Sequence, residues 1–399
     1  MKTNSISNSL LIFLCCLLAI IGVLSRELYI PLLPEIASQL KGPNFFAVSI
    51  IPAVILGIGI SQLVYGIMSD YIGRKALLIF GLFLALLSSS ISSLAMNNIF
   101  LWVMQMLSGV GCGACVVLSR AILKDKLQSD LLVKGIAYQS MASTLPPLLA
   151  PSIGAFLAAV FGWRSSFLLF AIFCALTVLL VVFCLPETHF KRIHDPFSFK
   201  IVLKNYYSII KDKLFLNSAL FIAFSFLPIL IYSIASPFVY KTVFNLDVKT
   251  IALLYGLTTF GYFLGSFFVT QYAKKFNSIM LLQCCAFTST VLSLALVTMS
   301  LMHIYSIALL VAVMLGIYIS NGIISPITSK ICLDVFPQLA GASSALIFSI
   351  RLTLPAILTT IYAWYGVVNL TSMSGCIILA AFMALFFYTR IKNHIRNER

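Results

Sequence analysis

Runs of about 20 apolar residues, each long enough to cross the hydrocarbon core of a bilayer as a helix, recur along the chain between short polar stretches. The pattern predicts twelve spans, at roughly 8–34, 45–66, 75–95, 98–120, 134–160, 164–185, 216–240, 250–272, 278–300, 304–327, 339–362 and 369–389. The longest hydrophilic stretch, from about Pro186 to Lys213, divides them six and six. It carries Phe197, Phe199, Ile201, Val202, Tyr206, Tyr207 and Ile210 among its lysines, a composition that suits a helix lying on the inner membrane surface. The expected organisation is therefore a first six-helix bundle over 1–185, a cytoplasmic linker with an interfacial helix over 186–215, and a second bundle over 216–399. Faint repetition relates the halves: Thr144-Leu145-Pro146 in the fifth span recurs as Thr353-Leu354-Pro355 in the eleventh, and Lys274-Lys275 stand where Arg74-Lys75 would recur. Such a chain is expected to be an all-α membrane protein, twelve helices in two pseudo-symmetric bundles facing a central cavity. The first apolar run continues through Tyr29 to Leu40 without a small-residue cleavage pattern, as a retained first helix would.

Composition removes the soluble alternatives. The 399 residues are 61% hydrophobic and 9% charged, against roughly 25% charged in an ordinary soluble domain. A formal charge of +15 raises the question of a nucleic-acid partner, and the placement of the 26 Lys and Arg answers it. With both termini inside, 20 fall on the cytoplasmic side, four outside (Lys41, Arg164, Lys241, Lys249), and two, Arg26 and Arg351, within spans. That asymmetry is the positive-inside pattern of a multi-pass protein, and the cluster Lys191, Arg192, Lys200, Lys204, Lys211 and Lys213 reads as a topology signal beside anionic lipid. No nucleic-acid partner is expected. The ten cysteines lie mostly inside spans without metal-ligand spacing and read as packing residues, so no metal site is expected. His189, His194, His303 and His394 all fall outside the spans. Neither a phosphate-cradling glycine loop nor a catalytic triad pattern is present, which argues against an ATP-driven pump and against an enzyme.

The most telling local segment is Gly66-Ile67-Met68-Ser69-Asp70-Tyr71-Ile72-Gly73-Arg74-Lys75, between the second and third spans. A connection so short and polar is expected to form a tight hairpin, with Gly66 and Gly73 allowing close approach and Asp70, Arg74 and Lys75 forming a charge lock. It resembles the signature loop of the major facilitator superfamily of secondary transporters. Further motifs narrow the resemblance: Ser119-Arg120-Ala121-Ile122-Leu123-Lys124-Asp125, Ala150-Pro151-Ser152-Ile153-Gly154, Gly162-Trp163-Arg164, Leu185-Pro186-Glu187-Thr188, Ser236-Pro237-Phe238-Val239 and Ala340-Gly341-Ala342-Ser343-Ser344-Ala345. As an ordered set they are similar to the Bcr/CflA drug-resistance branch of the twelve-span drug:proton antiporters. The resemblance implies the major facilitator fold, a gating role for the Gly66–Lys75 loop as the two bundles rock, and no cofactor beyond a proton as coupling ion.

Glu27 is the acidic residue that the pattern places well within a span, in Glu27-Leu28-Tyr29-Ile30-Pro31, where the family's first-helix Asp stands. Burial penalises the charged form of a carboxylate, so Glu27 is a candidate proton carrier; the alternative is a carboxylate permanently neutralised by an arginine. Adjacent residues point about 100° apart on a helix, so Arg26 and Glu27 are not expected to face the same way. Arg351 is left either to pair with Glu27 or to bind an anionic substrate group. Gln105 stands where many proton antiporters of the family have a membrane arginine, a departure that weakens the standard coupling scheme. Arg120 is retained and is equally explained as an interface anchor. Pro146, Pro147, Pro151 and Gly154 are expected to bend the fifth span and permit close packing, in a segment the family associates with export. Tyr29, Tyr232 and Tyr255 complete the cavity candidates.

The reading is a proton-coupled exporter of drugs or other small amphipathic molecules, working by alternating access as a monomer in a bacterial inner membrane, with both termini cytoplasmic. Its alternative is a carrier of an endogenous anionic metabolite such as a carboxylate siderophore, favoured by two membrane arginines against one membrane acid. A non-transporting receptor on the same fold is the third reading.

Overall fold

A computed structural model describes residues 7–188, 199–272, 276–366 and 368–397. The chain forms two compact units, Met1–Ser198 and Phe199–Arg399. In the first are α1 (Asn8–Glu27), a 3-10 turn (Ile30–Leu32), α2 (Leu33–Gln39), α3 (Asn44–Val48), α4 (Ile50–Ile72), α5 (Arg74–Ser92), α6 (Asn98–Lys126), α7 (Ser129–Ala142), α8 (Leu145–Phe161) and α9 (Arg164–Cys184). In the second are α10 (Phe199–Lys211), α11 (Lys213–Thr242), α12 (Val248–Tyr272), α13 (Ser278–Leu301), α14 (Ile307–Val335), a 3-10 turn (Pro337–Leu339), α15 (Ala340–Trp364) and α16 (Leu370–Asn397). The described residues contain 12 helical segments long and apolar enough to cross a membrane, six in each unit.

Two of those segments are broken, and proline chemistry locates both breaks. Pro31 and Pro34 lack the N–H groups that would bond to the carbonyls of Glu27 and Ile30, so α1 stops at Glu27 and the chain passes through a 3-10 turn into α2. Pro146 and Pro147 likewise free the carbonyls of Ala142 and Ser143, and the fifth span divides there into α7 and α8. Some of the other helix starts are capped by short polar side chains: Asn97 accepts from the Phe100 amide at 2.7 Å, and Asp212 from the Phe215 amide at 2.7 Å.

Each unit is organised around one central helix. α6 packs on α1, α4 and α5; α14 packs on α11, α12 and α13. The tightest crossings are built on glycine. A Cβ at Gly109 would lie 2.1 Å from the Val54 carbonyl oxygen of α4, and one at Gly265 would lie 2.1 Å from the Ile319 oxygen of α14. Small residues let membrane helices approach backbone to backbone, and the same device joins the second to the fourth span and the eighth to the tenth. This correspondence ties the halves together more firmly than the repeated tripeptide does. Large apolar side chains such as Phe80, Phe183, Leu253 and Phe287 are exposed on the outer faces, as lipid contact requires.

The unit boundary falls inside the expected 186–215 linker. Lys191, Arg192, Phe197, His189 and His194 lie outside the described residues, as do Lys274 and Lys275. α10 packs against α11 and α15 with Ile209 fully buried and leaves Leu203, Tyr207 and Ile210 exposed.

Candidate functional site

The Gly66–Lys75 segment is almost entirely helical. α4 runs on to Ile72 and α5 begins at Arg74, so a single residue, Gly73, makes the reversal, at φ 108° where a side chain would be strained. Gly66 does not serve close approach, contrary to expectation: a Cβ there would meet Val117 Cγ1 at 3.7 Å, an ordinary contact. Arg74 is the hub. Its guanidinium reaches Asp70 at 2.8 Å and Asp125 at 3.1 Å and donates to Ser69 Oγ. The first turn of α5 also presents free backbone N–H groups, and the Glu187 carboxylate fills them, accepting from the Arg74 amide at 3.0 Å and the Lys75 amide at 3.3 Å. Lys75 Nζ donates to the Val182 carbonyl at 2.8 Å. Three of the quoted motifs, the loop, the end of α6 and the chain after α9, thus converge on one helix N-terminus within the first unit. Nothing local in the sequence marks Asp125 or Glu187 as a partner of Arg74.

Glu27 ends α1 at the break, buried, with its carboxylate 3.1 Å from Arg26 Nε. The expectation that neighbouring residues could not meet is corrected here: the flexible arginine stem bends its head round to the next side chain. α8 presses on this break. A Cβ at Gly154 would sit 2.0 Å from the Leu28 carbonyl oxygen, so Gly154 is needed for the approach of the proline-rich segment to the residue beside Glu27. Pro151 lies inside α8, one turn before that contact. Tyr29 is fully buried and stacked on Phe167, with ring centroids 4.2 Å apart, a packing position between the first and sixth spans. Gln105 is also fully buried and turns to α5, donating from Nε2 to Ser92 Oγ at 2.8 Å.

In the second unit the structure brings Tyr232 and Tyr255 together, rings stacked at 5.9 Å and 7°. Tyr232 Oη and Tyr240 Oη lie 2.9 Å apart, and Tyr255 Oη is 2.8 Å from Ser233 Oγ. Arg351, on α15, donates from Nη2 to Tyr262 Oη at 3.3 Å and lies over the Phe226 ring at 5.2 Å. Its Nε is buried with no hydrogen-bond partner among the described residues, and within its own unit its guanidinium meets no described carboxylate.

Sequence reasoning passed over Asn321. It shares one face of α14 with Tyr318, Ser325 and Thr328, all buried and spaced three and four apart, and Tyr318 meets Tyr232 edge-on at 6.1 Å. Asn321 is 1% exposed, and neither amide atom has a hydrogen-bond partner among the described residues. A carboxamide interrupting the run from Ile317 to Ile327 was the available signal.

Twelve membrane-length helical segments among the described residues, six in each of two units, with a charge-locked turn and a partly buried ion pair at a helix break, are the architecture of a secondary transporter and not of an enzyme. The Major Facilitator Superfamily model matches residues 15–360, and the chain belongs to that superfamily. It is 27% identical over 387 residues to the bicyclomycin resistance protein homolog of Haemophilus influenzae, covering 92% of this chain and 95% of that protein. It is 24% identical over 342 residues to multidrug resistance protein D of Escherichia coli, 85% of each being covered. Its fold is similar to the crystal structure of a bacterial homologue of the human lysosomal transporter Spinster, inward-facing and unoccupied, with a TM-score of 0.73, 14% identity and 98% of each chain covered.

Proposed function

We propose that this transporter exports small amphipathic molecules from a bacterial cytoplasm in exchange for protons, by alternating access. The observation that carries the reading is the partly buried Arg26–Glu27 pair, 3.1 Å apart at the break of the first span, with α8 pressed against that break. Proton uptake by Glu27 cancels the charge that holds Arg26, so a proton entering or leaving this place remakes a contact on the very turn that Gly154 touches. The relatives named for bicyclomycin and multidrug resistance support a drug-like substrate. The basic excess on one side supports an inner-membrane setting with both termini cytoplasmic. Energetically one proton suffices for an uncharged substrate: a unit charge moving down 100 mV releases about 2.3 kcal/mol, enough for a roughly 50-fold gradient, whereas one-for-one exchange with a monovalent cation moves no net charge and is driven by the pH difference alone. The test is Glu27→Gln, a near-isosteric change. The variant should fold and reach the membrane, yet export at a rate no longer dependent on external pH; unchanged pH dependence removes Glu27 from the mechanism.

The second reading, a carrier of anionic metabolites, is supported by Arg351, whose buried Nε has no partner among the described residues and whose neighbours include a phenol and a benzyl ring. On that reading Arg351→Lys, which keeps charge but loses the fork that fits a carboxylate, weakens binding of di- and tricarboxylates at least tenfold and leaves cationic compounds nearly unaffected. Equal effects on both classes exclude an anion-binding role.

A further inference from the structure

The second unit holds a cavity of about 480 Å³ that none of the transport chemistry uses. It lies between the consecutive helices α15 and α16, with Phe224, Leu227 and Ile231 of α11 among its walls. α11 packs closely on both helices, whereas α15 and α16 pack on each other hardly at all; the corresponding pair in the first unit, α8 and α9, makes a modest contact. The cavity is therefore a groove floored by the seventh span, opened by the splay of the eleventh from the twelfth. Its volume falls within the roughly 300–1,000 Å³ of small-ligand sites.

Three features identify the occupant. The groove is continuous with the lipid-facing surface: Ile361 and Leu379, which line it, are 49% and 65% exposed, and Ile357, Phe382 and Phe386 extend the same apolar belt. Its mouth lies at the turn between the two helices, where Trp364 and Tyr365 are 74% and 79% exposed, the placing of aromatics at headgroup level. Tyr362 Oη and Ser372 Oγ, 3.1 Å apart, supply the polar pair on its wall, and no charged side chain lines it. Gly375 lines the same groove. It sits inside α16, where glycine weakens a helix, yet a Cβ there would meet nothing within 4 Å and its φ is not positive. The space over Gly375 is open groove, which a larger side chain at that position would enter.

The geometry points to a phospholipid acyl chain seated in this groove, its glycerol end at the level of Tyr365 and its tail along Gly375 and Leu379, wedging α15 and α16 apart. An unfilled slot would forfeit the dispersion contacts of every side chain facing it, and a chain from the adjoining leaflet restores them without desolvating any charge. Because α15 carries Arg351, the wedged chain also sets the position of that helix.

The test uses the full-length protein purified in mild detergent and native mass spectrometry, with Gly375→Leu to fill the groove and Leu294→Phe, on the exposed face of α13, as control. The wild type and the control should each retain one phospholipid per chain, and Gly375→Leu should lose it; added phospholipid should raise the melting temperature of the first two and not of the third. A wild type with no retained lipid, equal retention by Gly375→Leu, or displacement of the lipid by a cationic drug would overturn the proposal. Should Gly375→Leu fail to fold, the wild type alone decides. A phospholipid carrying a diazirine on its acyl chain should label peptides 358–365 and 372–383 after delipidation has abolished labelling of α13; equal loss of label from all three refutes the seated chain.

Discussion

Gly154→Ala measures how tightly the proline-rich segment is fitted to the break beside Glu27. The added Cβ would fall 2.0 Å from the Leu28 carbonyl oxygen and 3.0 Å from its carbon, whereas ordinary contact begins at 3.4 Å, so about 1.4 Å of separation must open between α8 and the break. The obstacle is backbone and cannot swing aside. Overpacking of this kind costs about 2–3 kcal/mol, offset by about 1 kcal/mol of improved helix propensity, for a net loss of about 1–2 kcal/mol. At about 2–4 °C per kcal/mol for a unit of this size, the melting temperature in detergent should fall by several degrees. Gly66→Ala is the matched comparison: its Cβ meets only Val117 Cγ1 at 3.7 Å, and it should melt at or above the wild type. Export by Gly154→Ala should fall as well, since the displaced carbonyl adjoins the Arg26–Glu27 pair. A Gly154→Ala protein as stable as Gly66→Ala would refute the close contact and the link built on it.

Three further outcomes are expected. Glu187→Gln removes the charge that caps α5 and should cost about 1–2 kcal/mol, read as a lower melting temperature and faster proteolysis at the α4–α5 turn, with salt narrowing the difference from wild type. Asn321→Leu should leave the melting temperature unchanged or raised, because it removes a buried amide that lacks partners among the described residues, while lowering transport; a stability loss with full transport would make Asn321 a packing residue. Burial of the Tyr206 phenol in the α10 contact pushes its pKa up to about 12 from 10.0. The neutral form is thus favoured when α10 is docked, so the docking contribution is complete below pH 10 and is lost as pH rises from about 10 to 12; limited proteolysis around α10 should accelerate over that window in the wild type and not in Tyr206→Phe.

The twelve spans were legible because each needs only length and apolarity, properties carried by every residue of the run. The break in the fifth span was legible in Pro146 and Pro147. The equivalent break after Glu27 is hidden in the sequence, although Pro31 and Pro34 have the same chemistry, because the run stays apolar through Leu40. The Arg26–Glu27 contact was missed for a physical reason: a helical wheel assigns each residue one direction, and an arginine head can leave its own. Asp125 and Glu187 stood in quoted motifs, but their meeting with Arg74 spans 51 and 113 residues and no local pattern encodes that closure. Asn321 went unnoticed because one amide changes a hydropathy window little, whereas burial without a partner makes it conspicuous.

The central claim, a proton exchanged for substrate at Glu27, is tested most directly by recording lumenal pH in proteoliposomes carrying a drug-like cation while substrate gradients are imposed without an applied potential. The expected result is a pH change opposite in sense to substrate flux in the wild type, abolished in Glu27→Gln even where substrate still equilibrates. Substrate flux in the wild type with no accompanying pH change, or an equal pH change in Glu27→Gln, would contradict it.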